Sequence, residues 1–454
     1  MPESNDTGRA VPRGRLARLG RLGGVAGGIA GSAALRGAGD LARGRRPGLS
    51  DLVLTPANAA RVASELARMR GAAMKLGQLL SMEAGDILPP EIAAVFDRLR
   101  DQADFMPPRQ LDRVLAANWG ADWRGRFARF EVRPVAAASI GQVHRARTRD
   151  GRDLAVKVQY PGVRDSIGSD LRNLGALIRV ARVLPEGVDL DILLDEARAQ
   201  LLAEADYEAE AENLRQMGTL LADDPGFAVP RVHADLTTRD VLAMDFMPGT
   251  PLEALAGDAP QSLRDDLAGR LLRLACHEVF GFELVQTDPN FANYRFDPET
   301  GAIVLLDFGA TQRFTPERVA VFRQLLQAAR DGGRDRLAAA MRAAGYLSDG
   351  TPDALRETLI DMARMASAPL RATGSFDFAR SDLIARMHRA GLALGRTPQG
   401  APVPPTDALL LQRKAAGLYL LACRLGARVD LDAIMAPYAM PDDPRACAPA
   451  PRGV

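Results

Sequence analysis

The stretch Gln286-Thr287-Asp288-Pro289-Asn290-Phe291-Ala292-Asn293, followed by Ile303-Val304-Leu305-Leu306-Asp307-Phe308-Gly309, decides how this chain is read. The first string sets an Asp on a polar loop and an Asn five positions later. The second sets an Asp directly after an apolar run with the length and branching of a buried strand. In phosphoryl transfer, such a loop carboxylate approaches the nucleophile and the Asn binds a metal. The carboxylate ending the strand then chelates that metal against the phosphates. Two carboxylates and a carboxamide suit magnesium, a hard cation that prefers oxygen ligands and keeps some waters. Asp288 is therefore read as the catalytic-loop carboxylate, and Asn293 and Asp307 as metal ligands. The D-F-G triplet alone is weak; its order and spacing after D-x-x-x-x-N carry the reading.

Working upstream, Leu154-Ala155-Val156-Lys157-Val158 sets a lysine on an apolar strand. An ammonium group there is costly to bury unless a carboxylate accompanies it. The acidic run Glu204-Ala205-Asp206-Tyr207-Glu208-Ala209-Glu210 supplies candidates. On one continuous helix, carboxylates two positions apart cannot face the same way, so spacing does not choose among them. Between two strand patterns lies Ala136-Ala137-Ala138-Ser139-Ile140-Gly141-Gln142-Val143. Taken by itself this loop reads as a tight β-turn packed in a core. Its small side chains would also let backbone approach phosphate, although Ala lacks the positive-φ freedom of Gly. Residues 136–142, Lys157, Met244 and Met247 form the expected nucleotide-contacting set. The two methionines lie on the strand pattern that ends at Pro248-Gly249.

The composition is globular, with 47% hydrophobic and 25% charged residues, and the net charge of +1 gives no field for nucleic acid. Cys276, Cys423 and Cys447 have no paired spacing, and the histidines at 144, 233, 277 and 388 have no metal-site spacing. A disulfide framework and a zinc site are both excluded as expectations. The pattern divides the chain into a basic Gly/Arg-rich tail (1–48), a helical extension (49–129), a small α+β lobe (130–247), a mainly helical lobe (248–440) and a tail (441–454). Within the first tail, residues 22–35 are apolar, have small residues four apart and lie between arginine clusters. That run is too short to span a bilayer upright. It reads either as a membrane-associating segment or as a flexible tail. The helical pattern at 406–427 carries Gln412, Arg413, Lys414 and Arg424, and reads as core packing rather than an anchor.

These strings together resemble the UbiB/ADCK atypical kinase-like family, most closely its ubiquinone-biosynthesis (coenzyme Q) branch. The resemblance runs from about Gly71 to about Tyr438 and includes Lys75-Leu76-Gly77-Gln78, which looks like the family's K-x-G-Q signature. Residues 134–144 look like its Ala-rich loop, Glu204 and Asp206 like its E-x-D pair, and Glu210 like the helix glutamate that holds the strand lysine. The resemblance implies a two-lobed, protein-kinase-like α+β fold with a helical K-x-G-Q extension. Lys157 would contact the α- and β-phosphates of ATP or ADP, with Mg²⁺ on Asn293 and Asp307. Lys75 and Gln78 would reach toward Glu204 and Asp206 as a regulatory set.

Several departures bear on activity. Gln286-Thr287 stand where a protein kinase has His-Arg, and a helical pattern begins almost at once after Gly309, without an activation segment or A-P-E. The expectation is an ATPase or unorthodox kinase supporting ubiquinone biosynthesis. A protein kinase acting in trans and a nucleotide-sensing scaffold are the alternatives. Expected partners are lipid or quinone intermediates, quinone-biosynthesis enzymes and a membrane surface, with a second copy of the chain admitted and no nucleic acid. The implied location is the cytoplasmic side of a bacterial inner membrane, or the mitochondrial matrix side in a eukaryote.

Overall fold

The computed structural model describes residues 105–138, 140–181, 190–288, 290–395 and 404–440. The expectations for 1–48, for 49–104 with Lys75 and Gln78, for Ser139 and for 441–454 lie outside the described residues. In chain order, α1 (Pro108–Trp119) leads into β1 (Phe127–Phe130), β2 (Ala136–Ala137), β3 (Gly141–Thr148) and β4 (Asp153–Gln159). The helices α2 (Val163–Ala181), α3 (Leu190–Glu204) and α4 (Tyr207–Leu220) follow. Next come β5 (Phe227–Ala228), β6 (Val241–Asp245), β7 (Thr250–Pro251) and the long α5 (Gln261–Phe280). Short strands β8 (Leu284–Gln286), β9 (Tyr294–Phe296), β10 (Ile303–Leu305) and β11 (Thr311–Arg313) precede α6 (Pro316–Asp331), α7 (Arg334–Ala344) and α8 (Asp353–Ala366). The chain continues through β12 (Phe376–Asp377), α9 (Leu383–Gly395), α10 (Thr406–Leu425), β13 (Arg428–Val429) and α11 (Leu431–Ala439). Contacts divide the described residues into two compact units, 105–211 with 232–246, and 212–231 with 247–440.

The first unit is built on an antiparallel sheet of order β1-β3-β4-β6, with β2 paired to β3. The β3–β4 hairpin turns at Asp150-Gly151, where Gly151 takes φ +94°, a value open to Gly at no steric cost. Strand alternation sends Leu154, Val156 and Val158 to one face, where each is fully buried. That face packs on Leu111, Leu115, Trp119, Trp123 and Phe127. Trp119 donates its ring N–H to the Leu236 carbonyl at 2.9 Å. Residues 106–127 thus belong to the core of the small unit, and the sequence division at 129/130 cuts through that core. β1 ends at Phe130, and α3 and α4 are separate helices with a break between Glu204 and Tyr207.

The second unit has a mixed sheet of order β5-β10-β9-β7 and a separate β8–β11 ribbon. β10 runs parallel to β5 and antiparallel to β9, with Leu305 opposite Tyr294. Its helical core gathers Val279, Val285, Phe314, Val319, Phe322 and Ala408. Thr315 caps α6 by accepting the Arg318 N–H, and Pro316 occupies the first turn, where its missing N–H costs nothing. Among the described residues, no helix is long and apolar enough to cross a membrane.

Behind the first sheet runs a buried polar chain. The Met106 N–H donates to Gln142 Oε1 at 2.8 Å, and Gln142 Nε2 lies 2.8 Å from His144 Nε2. His144 Nδ1 lies 2.7 Å from the Glu131 carbonyl. Satisfying every member requires a neutral ring protonated at Nδ1. Burial also disfavours the imidazolium and pushes the His144 pKa down to about 4. A depressed folded value means that the unfolded chain binds the proton first as pH falls through 6.5. His144 should therefore cost the fold up to about 3 kcal/mol as pH drops toward 4. Denaturation midpoints measured across this window should fall, with the His144 ring neutral by NMR at pH 5.5. A ring that titrates near 6.5 would contradict the network.

Candidate functional site

In the first unit, alternation puts Lys157 on the face of β4 opposite Val156 and Val158. Its ammonium group is buried and paired with the buried Glu210 carboxylate. Glu210 lies in the first turn of α4, whose start is fixed by Asp206: the Asp206 carboxylate accepts the Ala209 N–H at 3.1 Å. The chain therefore breaks at Ala205-Asp206, and Glu204 ends one helix while Glu210 begins another. Asp206 also lies 4.0 Å from the Arg164 guanidinium in a solvent-exposed pair. Of the four acidic candidates, Glu210 is the one that reaches the lysine.

The loop set separates by face. Ala136 and Ala137 are exposed on β2, opposite Val143 and Gln142, and the Ala138 N–H donates to the Gly141 carbonyl at 2.9 Å. Ile140 is buried. A side chain at Gly141 would collide with the Val158 carbonyl and lie 3.0 Å from the Tyr207 hydroxyl, so glycine is required there by space. Gln142 pairs with Val158, whereas Val143 pairs with Lys157. The Gln142 side chain thus faces the core behind the sheet, and its expected nucleotide contact is corrected to the structural link described above. Met244 pairs with Ala155 and shares the Lys157 face. Met247 is half-buried at the start of the second unit's second segment.

The second unit assembles the acidic residues. Asp288 follows β8, Asn293 ends a short turn capped by the Asn290 side chain, and Asp307 follows β10. The Leu306 N–H donates to the Asn293 carbonyl at 3.0 Å, and the Thr287 N–H to the Ala310 carbonyl at 2.7 Å. These bonds latch the 286–293 loop to the D-F-G segment on both sides of Asp307. The Asp307 carboxylate accepts the Gly309 N–H at 3.0 Å. Phe308 is fully buried, and its carbonyl accepts from Asn213 at 3.0 Å and Thr311 at 2.8 Å. The bonds of Asn213 and Thr287 to Phe308 and Ala310 carry no sequence signal, because the partners are backbone atoms distant in sequence.

Burial and the negative charges of Glu278, Asp288 and Asp307 raise the pKa of the buried Tyr294 phenol. The Asp288 and Asp307 carboxylates thus lie within electrostatic reach of Tyr294, on loops that the backbone bonds above hold side by side. Among the described residues there is no cluster of three or more His, Cys, Asp or Glu suited to a metal. Asp288, Asn293 and Asp307 offer oxygen donors only, the kind that a hard cation such as magnesium takes.

Glu210→Gln should leave the Lys157 ammonium buried without a countercharge and cost about 3–5 kcal/mol. Denaturant titration checks this, and the Lys157→Met/Glu210→Leu double variant should recover much of the loss. A single variant as stable as wild type would contradict a buried, coupled pair.

The model of the ABC1 atypical kinase-like domain matches residues 98–341. The chain is 37% identical over 433 residues to the atypical kinase COQ8, mitochondrial, of Saccharomyces cerevisiae, covering 94% of this chain and 85% of that protein. It is 38% identical over 430 residues to the atypical kinase COQ8B, mitochondrial, of Rattus norvegicus, covering 93% and 80%. Among solved structures, the Rv3197–erythromycin complex from Mycobacterium tuberculosis is similar with a TM-score of 0.58 and 28% identity, over 83% of this chain and 94% of that one. With its mixed sheets and helices and these matches, the chain belongs to the ABC1 (UbiB/ADCK) atypical kinase-like family.

Proposed function

We propose that this protein is a magnesium-dependent atypical kinase or ATPase that supports ubiquinone biosynthesis at a membrane surface. The observation that carries the reading is the latching of the Asp288–Asn293 loop to the Asp307 segment by the Thr287–Ala310 and Asn293–Leu306 bonds. In this reading Lys157, held by Glu210, orients the nucleotide phosphates, and Asp288 accepts the proton of the attacking hydroxyl or water. Asn293 and Asp307 would hold magnesium, which when bound neutralises phosphate charge. The similarity to the COQ8 atypical kinases supports the placement in quinone metabolism.

Hydrolysis is favoured over protein phosphorylation by the course of the chain after Gly309. β11 occupies Thr311–Arg313 and α6 starts at Pro316, so no extended segment separates them to seat a peptide. Lipid or quinone intermediates and enzymes acting on them are the proposed partners. Attachment would run through the basic segment 9–46, on the inner-membrane or matrix side.

Incubation of the pure protein with γ-labelled ATP and Mg²⁺, with and without anionic vesicles, tests the proposal. Asp307→Asn should lower phosphate release by about 100-fold or more, and removal of residues 1–46 should release the protein from the vesicles. Label appearing on added proteins would favour a protein kinase instead. ATP binding without turnover in every condition would favour a scaffold.

A further inference from the structure

The peptide of Gln286, just before the Asp288 loop, is held from a helix far along the chain. Gln286 is buried at the end of β8, a strand with a partner on one side only, β11. Its neighbour Thr287 turns its N–H to β11 through the Ala310 carbonyl. The backbone groups of Gln286 point the other way, where they would be orphaned in a buried site. Two side chains meet them there. Lys414, on α10, donates to the Gln286 carbonyl at 2.7 Å. Glu278, on α5, pairs with the Lys414 ammonium, and the Gln286 N–H favours its charged carboxylate. Both side chains are almost fully buried, at 3% and 2% exposure. The Gln286 side chain carries the restraint onward by donating to the Asp288 carbonyl at 2.7 Å.

A buried ion pair contributes little net stability compared with apolar packing of the same volume. This pair does something apolar packing cannot: it answers the polar backbone groups on both sides of one residue, Gln286. Burial raises the Glu278 pKa, while Lys414 and the Gln286 N–H oppose that shift by favouring the carboxylate. We propose that Lys414, acting through Glu278 and Gln286, is a positioning residue that sets the height and direction of Asp288. The proposal rests on the reading of Asp288 as the catalytic-loop carboxylate.

Three variants test it: Lys414→Met, Lys414→Arg, and Lys414→Met/Glu278→Leu, the last removing both charges so that the fold has no lone buried ion. The double variant, which leaves backbone groups of Gln286 unpaired, should still fold, with a lowered thermal midpoint and an unchanged ATP dissociation constant, while kcat for ATP hydrolysis falls by about 10- to 100-fold. Hydrogen–deuterium exchange over residues 284–293 should quicken in the same variant, a readout independent of turnover. Lys414→Arg should recover part of kcat. A folded double variant with wild-type kcat and unchanged exchange would overturn the proposal, as would loss of ATP binding in step with kcat. Asp288→Asn serves as the separate control. If it retains full hydrolysis, the reading of the site fails, whereas loss there with a fully active double variant refutes the positioning role alone.

Discussion

Burying an ammonium group costs several kcal/mol unless a carboxylate is carried in with it, and that constraint organises the small unit. Lys157 sits on a strand whose other face is filled by Leu154, Val156 and Val158, so its side chain must enter the opposite side of the sheet. Glu210 can meet it because Asp206 starts a new helix four residues earlier. The cap therefore matters more than the acidic composition: without the break at 205–206 the glutamates would be spread around one helix. Sheet alternation, helix capping and charge burial all support the same pair.

The acidic side of the site obeys a different rule. Asp288 and Asp307 sit on loops that lie side by side, and the backbone carrying them is held by bonds that do not depend on a cation. Thr287 on Ala310, Leu306 on Asn293 and Asn213 on Phe308 are such bonds. The Lys414–Glu278 pair extends the same logic into the helical core, where the backbone is held on both sides of one residue, Gln286. Preorganisation of this kind is where a phosphoryl-transfer site obtains most of its effect, since little covalent chemistry is asked of the protein.

Much of this was legible in the sequence. Lys157 on an apolar strand, the loop Asp288 to Asn293 and Asp307 after its strand were readable because spacing and pattern are local properties. Spacing alone left Glu210 open among four acids, since periodicity assumes an unbroken helix and the break depends on a side-chain cap; the family resemblance singled it out. Gln142 was assigned to the nucleotide because it follows the small-residue loop, yet register turns it toward His144 and Met106. Residues 106–127 were placed in the extension because their helical pattern does not say which sheet buries Trp119 and Trp123. Lys414 looked like an interruption in an amphipathic helix. Its place on the buried face with Gly417, Leu418 and Leu421 was a signal that could have marked it.

The central claim of the proposed function is that Asp307 holds the magnesium ion that accompanies ATP. Calorimetric titration of ATP into the protein, with Mg²⁺ and with Mg²⁺ chelated, addresses it directly when wild type and Asp307→Asn are compared. The account predicts that Mg²⁺ tightens ATP binding by about tenfold or more in wild type, a gain of about 1.4 kcal/mol, and that Asp307→Asn abolishes this difference. Equal affinities with and without Mg²⁺ in wild type, or a full Mg²⁺ effect in Asp307→Asn, would contradict it.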